Sequence, residues 1–67
     1  MRVEINKKEV ELPEGCDNII SLLQHQEISE KGHAVAVNNY VLPRAEWASF
    51  RLESGMKVII IRAVRGG

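Results

Sequence analysis

The sequence predicts an α+β domain: a mixed sheet of four to five strands packed on one helix, ending in a flexible C-terminal tail. Three observations lead there. Apolar and polar or small residues alternate in "RVEI", "EVEL" and "HAVAV", the period-two spacing of half-buried strands. A fourth run, "VIII", is continuously apolar, as a central strand is. One segment alone, "DNIISLLQHQEI", places apolar residues at helical spacing.

The elements follow in order. Val3 and Ile5 alternate with Arg2 and Glu4, and Val10 and Leu12 with Glu9 and Glu11, so residues 1–12 read as a hairpin turned at Asn6-Lys7-Lys8. Pro13-Glu14-Gly15 ends it, because Pro cannot donate to a ladder and Gly permits an unusual backbone angle. In the helical segment Ile19, Ile20, Leu22 and Leu23, with Gln26 or Glu27, form one stripe. Asp17 is the expected N-cap and Gly32 the expected break after the helix. Val35 and Val37 point one way along the third strand, Ala34 and Ala36 the other, and Asn38-Asn39 is a turn. "YVL" is a very short strand. "PRAEWASF" suits one helical turn with Pro43 at its first position. "ESGMK" is a turn and "VIIIRAV" the last strand.

A lone helix must cover one sheet face to bury its stripe. Closing the sheet with the first and last strands side by side and parallel at its centre is the β-grasp arrangement. Val3, Ile5, Val10, Leu12, Val35, Val37, Val58 and Ile60 then face Ile19, Ile20, Leu22 and Leu23. Residues 1–64 form the domain and 65–67 the tail. Ile59 and Ile61 fall on the opposite face beside Ala34 and Ala36. Two readings of that pair stand side by side: a central strand of high β propensity, or an exposed apolar patch that binds a partner. A one-residue slip would exchange the faces.

Composition narrows the function. A chain of 67 residues is one domain with a small core, which favours a carrier, binding module or subunit over an enzyme with a deep cleft. The formal net charge is zero, so no nucleic-acid or membrane surface is indicated. No apolar run is long enough to span a bilayer, no signal peptide is legible, and one Cys makes no internal disulfide; together these point to the cytoplasm.

Catalytic and metal chemistry finds little support. His25 and His33 lie far apart with no ligand spacing around them, so no metal site is expected. Cys16 precedes a helix start but has neither a base nor a second Cys, and a buried structural thiol is the favoured reading. Lys7 and Lys8 read as a solvated turn. Trp47, Phe50 and Tyr40 either line a pocket or, more commonly for such residues, anchor the irregular 39–53 segment.

The terminus remains. "RGG" is either a frayed end or a working part, and a strand feeding straight into two glycines strengthens the second reading. Over essentially its whole length the chain resembles the ThiS family, ubiquitin-like sulfur carriers of thiamine biosynthesis. The resemblance rests on "VAVNNYVLPRAEW", on "LESGMKVIIIRAV" and on the terminal "GG". Two residues depart from it: Met56 stands where members often have an acidic residue, and Arg65 stands where they often have a small one, which makes the tail look more like ubiquitin's own.

The resemblance implies a cosubstrate, not an enzyme. The Gly67 carboxylate is adenylated by a ubiquitin-activating-like adenylyltransferase using ATP. It then takes sulfur from a persulfide enzyme to become a thiocarboxylate, and passes that sulfur to thiazole synthase. Gly66 and Arg65 would thread the enzyme channels, with Ile59, Ile61 and Arg62 as docking residues. No bound cofactor is expected beyond the covalent thiocarboxylate at Gly67, and the free carrier is expected to be a monomer. The alternatives are a carrier for molybdopterin synthesis or another ubiquitin-like pathway, and a β-grasp interaction domain whose glycines are incidental.

Overall fold

Two turns of one kind set the outer hairpins. Asn6-Lys7 and Asn38-Asn39 all have positive φ, at 50°, 71°, 50° and 70°. This is the type I′ pattern, whose twist matches that of the flanking strands and which Asn tolerates better than most residues. In the computed structural model, which describes residues 1–62, the first turn joins β1 (Arg2–Ile5) to β2 (Lys8–Glu11). The second joins β3 (His33–Val37) to β4 (Tyr40–Val41). Lys8 therefore belongs to a strand, and the first turn is one residue shorter than the sequence suggests.

The last described strand, β5 (Lys57–Arg62), enters the centre, giving the order β2-β1-β5-β3-β4. It runs parallel to β1 and antiparallel to β3. This is the expected β-grasp sheet with five strands. The expected boundary at residue 64, and Arg65, Gly66 and Gly67, lie outside the described residues.

The helix α1 (Ile19–His25) buries Ile19, Leu22 and Leu23 against the sheet. They join Val3, Ile5, Leu12, Val35, Val37 and Val58, while Val10, Ile20 and Ile60 are partly buried at the margin. All the expected core residues are thus on the core side.

Both expected helix ends need correction. The N-cap is Asn18, not Asp17. The Asn18 Oδ1 accepts from the Ser21 amide at 2.8 Å, and the Ser21 Oγ accepts from the Asn18 amide at 3.3 Å, a reciprocal capping box. Asp17 is taken up elsewhere: its carboxylate pairs with the Arg51 guanidinium at 3.0 Å and its carbonyl accepts from the Leu52 amide. The helix also stops well before Gly32. Glu27 takes φ +59°, its amide donates to the Gln24 carbonyl, and the Ile28 amide donates to that of Leu23. These are the two bonds of a Schellman end, with Glu where Gly is usual. Ile28 packs on the core, and that contact repays holding Glu27 in the left-handed region.

The 39–53 segment is pinned by Trp47. This residue is 2% exposed, its indole N–H donates to the Leu42 carbonyl at 3.0 Å, and its own carbonyl accepts from the Ile19 amide. Phe50 packs on the core too, so these two aromatics anchor, whereas Tyr40 is exposed. The helical turn here is a 3-10 turn, Arg44–Glu46, and Pro43 precedes it with extended backbone instead of occupying its first position. Met56 is partly buried against the core, which gives the apolar residue at this position a packing role. Among the described residues no helix is long and apolar enough to cross a membrane.

Candidate functional site

The register of β5 decides which of its apolar residues face outward. Val58 and Ile60 lie opposite Val37 and Val35 on the core side; Ile59 and Ile61 lie opposite Ala36 and Ala34 on the other. The parity expected from the sequence is the one observed. On the open face these four residues form two cross-strand rows with little side chain on β3, leaving the isoleucines proud. Ile61 is 46% exposed, and Ile59 is half-buried by its neighbours.

Val41 extends the patch and was not singled out from the sequence. The two-residue Asn38-Asn39 turn places it opposite Ala36, next in line to Ile59, and it is exposed. The turn length was the available signal: with the register set by a type I′ turn, alternation puts Val41 on the face of Ala36. Arg62, opposite His33, is exposed at the end of β5.

Charge borders this patch on the β1–β2 side. Lys57 stands beside Glu4, and Glu4 opposite Glu9. Arg2 pairs with Glu11 at 3.2 Å and more loosely with Glu9 at 3.9 Å. The Met1 amino group donates to the Glu11 carboxylate at 3.0 Å. That hydrogen bond, then the charge of the amine, then Arg2, hold the Glu11 carboxyl below its ordinary value of 4.5. The open face is therefore apolar over β5-β3-β4 and charged over β1-β2.

The remaining candidates do not converge. Cys16 is a free thiol inside the core. His25 ends α1 and His33 starts β3, each with its Nδ1 engaged locally, by Gln26 Nε2 and by the Lys31 carbonyl. Among the described residues no three His, Cys, Asp or Glu side chains gather as metal ligands. A shallow depression of about 100 Å³ lies among Asp17, Asn18, Ala48, Ser49, Phe50 and Arg51, and neither Trp47 nor Tyr40 lines it.

A family model described as the ThiS family matches residues 2–67, running from the first strand through the terminal glycines. The chain belongs to the ThiS family. Among known proteins it is similar to the sulfur carrier protein ThiS of Escherichia coli (strain K12), 24% identical over 67 residues and covering all of both chains. Among solved structures it is similar to the thiamine biosynthesis protein ThiS from Geobacter metallireducens. There the TM-score is 0.84 at 22% identity, with both chains wholly covered. This likeness shows the ThiS-like β-grasp fold.

Proposed function

We infer that this member of the ThiS family is a sulfur carrier of thiamine biosynthesis, a cosubstrate and not an enzyme, working through the carboxylate of Gly67. The observation that carries the reading is a family match that runs through the last residue of a chain ending in Gly-Gly. A β-grasp sheet whose central strand leads toward that terminus supports it.

The chemistry follows from the poor reactivity of a free carboxylate. An adenylyltransferase joins the Gly67 carboxylate to AMP from ATP, releasing pyrophosphate. The terminal sulfur of an enzyme persulfide attacks the mixed anhydride and expels AMP. Cleavage of the resulting disulfide by a thiol leaves the thiocarboxylate, C(=O)S⁻, at Gly67. Thiazole synthase then takes that sulfur and the carboxylate is regenerated. The carrier holds no cofactor of its own in this cycle, and its place is the cytoplasm.

Gly66 and Gly67, lacking side chains, suit a narrow channel, and Arg65 suits an acidic channel mouth. Ordering such a tail in an enzyme costs about 1–2 kcal/mol per residue, so the folded domain must contribute affinity of its own. The Ile59, Ile61 and Val41 patch, with Arg62 at its edge, is the surface that suits this role. It is apolar and partly exposed, and its two isoleucines lie on the strand that leads to the tail.

The deciding measurement is intact mass after incubation with ATP, the adenylyltransferase and a persulfide source. A gain of about 16 Da mapped to the Gly67 peptide is expected; methionine oxidation adds the same mass and must be placed elsewhere by fragmentation. No gain with active partners present refutes the reading.

A further inference from the structure

The β1–β5 ladder ends early. Its last paired residues are Ile5 and Val58, because β1 turns away at Asn6-Lys7 to form the hairpin. On the other edge β3 accompanies β5 as far as Arg62. Main-chain groups alternate along a strand. Those of Met56, Val58 and Ile60 point toward β1, as the bonds from the Glu4 amide to Met56 and from the Asn6 amide to Val58 show. The groups of Ile60 therefore emerge where β1 no longer offers backbone.

The Asn6 side chain fills that place. Its Oδ1 accepts from the Ile60 amide at 2.8 Å, and its Nδ2 donates to the Ile60 carbonyl at 3.4 Å. A carboxamide carries the same donor and acceptor as a peptide unit, so Asn6 acts as one further residue of β1. It does so from a left-handed turn position that Asn tolerates, at a sequence separation of 54 from its partner. At the start of β5 the Asn38 Oδ1 accepts from the Lys57 amide at 3.0 Å while the Asn38 backbone amide donates to the Lys57 carbonyl, so β5 is fastened by an asparagine near each end.

We propose that Asn6 is a positioning residue for the carrier's reacting terminus: its carboxamide clamps Ile60 and sets the line on which β5 leaves the sheet toward Gly67. This rests on the reading that the Gly67 carboxylate is the group activated. The clamp acts on the β1 edge, whereas Ile59 and Ile61 are held by β3. Loosening it therefore misdirects the tail without dismantling the patch. The signature is a fall in kcat for adenylation with KM little changed.

The test compares the full-length chain with Asn6→Gly and Asn6→Asp. Gly suits a type I′ position, so Asn6→Gly keeps the turn and removes the clamp. Asp keeps the acceptor for the Ile60 amide and serves as the conservative rescue. Hydrogen exchange read by NMR needs no partner. In Asn6→Gly the Ile60 amide is expected to exchange about ten-fold faster, with the amides of Ile59, Ile61 and Leu22 within about two-fold of wild type. In Asn6→Asp the Ile60 amide is expected to stay within about three-fold. With the adenylyltransferase, pyrophosphate exchange is expected to show kcat lowered about five-fold in Asn6→Gly, KM unchanged, and kcat largely restored in Asn6→Asp.

Unchanged Ile60 exchange in Asn6→Gly overturns the clamp. Faster exchange with unchanged kcat overturns the positioning role. So does a fall in kcat accompanied by general loss of protection at Leu22, which marks a merely structural residue. A wild-type chain that is not adenylated refutes the carrier chemistry and the positioning role together, while the exchange data still judge the clamp.

Discussion

Replacing Ile61 with Asp separates a docking surface from a core face. Ile61 is 46% exposed and sits opposite Ala34, so about half of its apolar surface is already in water in the folded chain. Burying a whole Ile is worth about 1.5–3 kcal/mol, so the lost burial costs folding about 1 kcal/mol. The poor strand propensity of Asp adds up to about 1 kcal/mol. Docking removes the other half from water, so the substitution forfeits about 1 kcal/mol there. It also places an unpaired carboxylate in an apolar contact, at about 2 kcal/mol or more. The affinity for the adenylyltransferase should then fall by about 3 kcal/mol, which is about a hundred-fold in Kd. Calorimetric titration of the complex gives the change in Kd and urea denaturation of the free chain the change in stability. A stability loss above about 3 kcal/mol with unchanged Kd would show that this face is core and that docking lies elsewhere.

Further outcomes are expected. One residue added after Gly67 should abolish adenylation and leave the urea midpoint unchanged; normal adenylation of the extended chain would remove Gly67 from the chemistry. Asn18→Ala should lose about 1 kcal/mol or more of stability by denaturant titration, since it removes the cap bond to Ser21 and a bond to the Ala48 carbonyl. Asp17→Ala, which breaks an exposed pair with Arg51, should lose less, and the reverse order would restore Asp17 as the cap. Glu27→Gly should raise stability by up to about 1 kcal/mol by relieving the left-handed backbone at φ +59°, and a loss there would show that the Glu27 side chain contributes more than the backbone strain costs. The Glu11 carboxyl should titrate below 4.5, so its contribution to stability is complete above that pH and disappears as pH falls through the lowered folded value. Acetylating the Met1 amine should move the Glu11 titration back toward 4.5, as NMR of the side-chain carboxyl would show.

What the sequence determined by itself was whatever rests on local chemistry. Period-two alternation in residues 2–5 and 34–37 put Val3, Ile5, Val35 and Val37 on one face, because successive side chains in a strand must oppose. The helical stripe named Ile19, Leu22 and Leu23, and the asparagines marked their turns, because few other residues accept positive φ at comparable cost. The Gly-Gly terminus and the "VAVNNYVLPRAEW" stretch were legible as a family pattern without any coordinates. Tertiary structure decided what depends on partners distant along the chain. Only the pairing with β3 settled that Ile59 and Ile61 face outward and brought Val41 into line with them, since one residue of slip inverts a strand. Only packing ended α1 just before Glu27, where the packing of Ile28 on the core outweighs the cost of a left-handed residue that local propensity would refuse. And only the closed sheet brought the Asn6 carboxamide to Ile60, because a side chain that stands in for backbone is recognised by the gap it fills, and that gap exists only once β1 and β5 lie together.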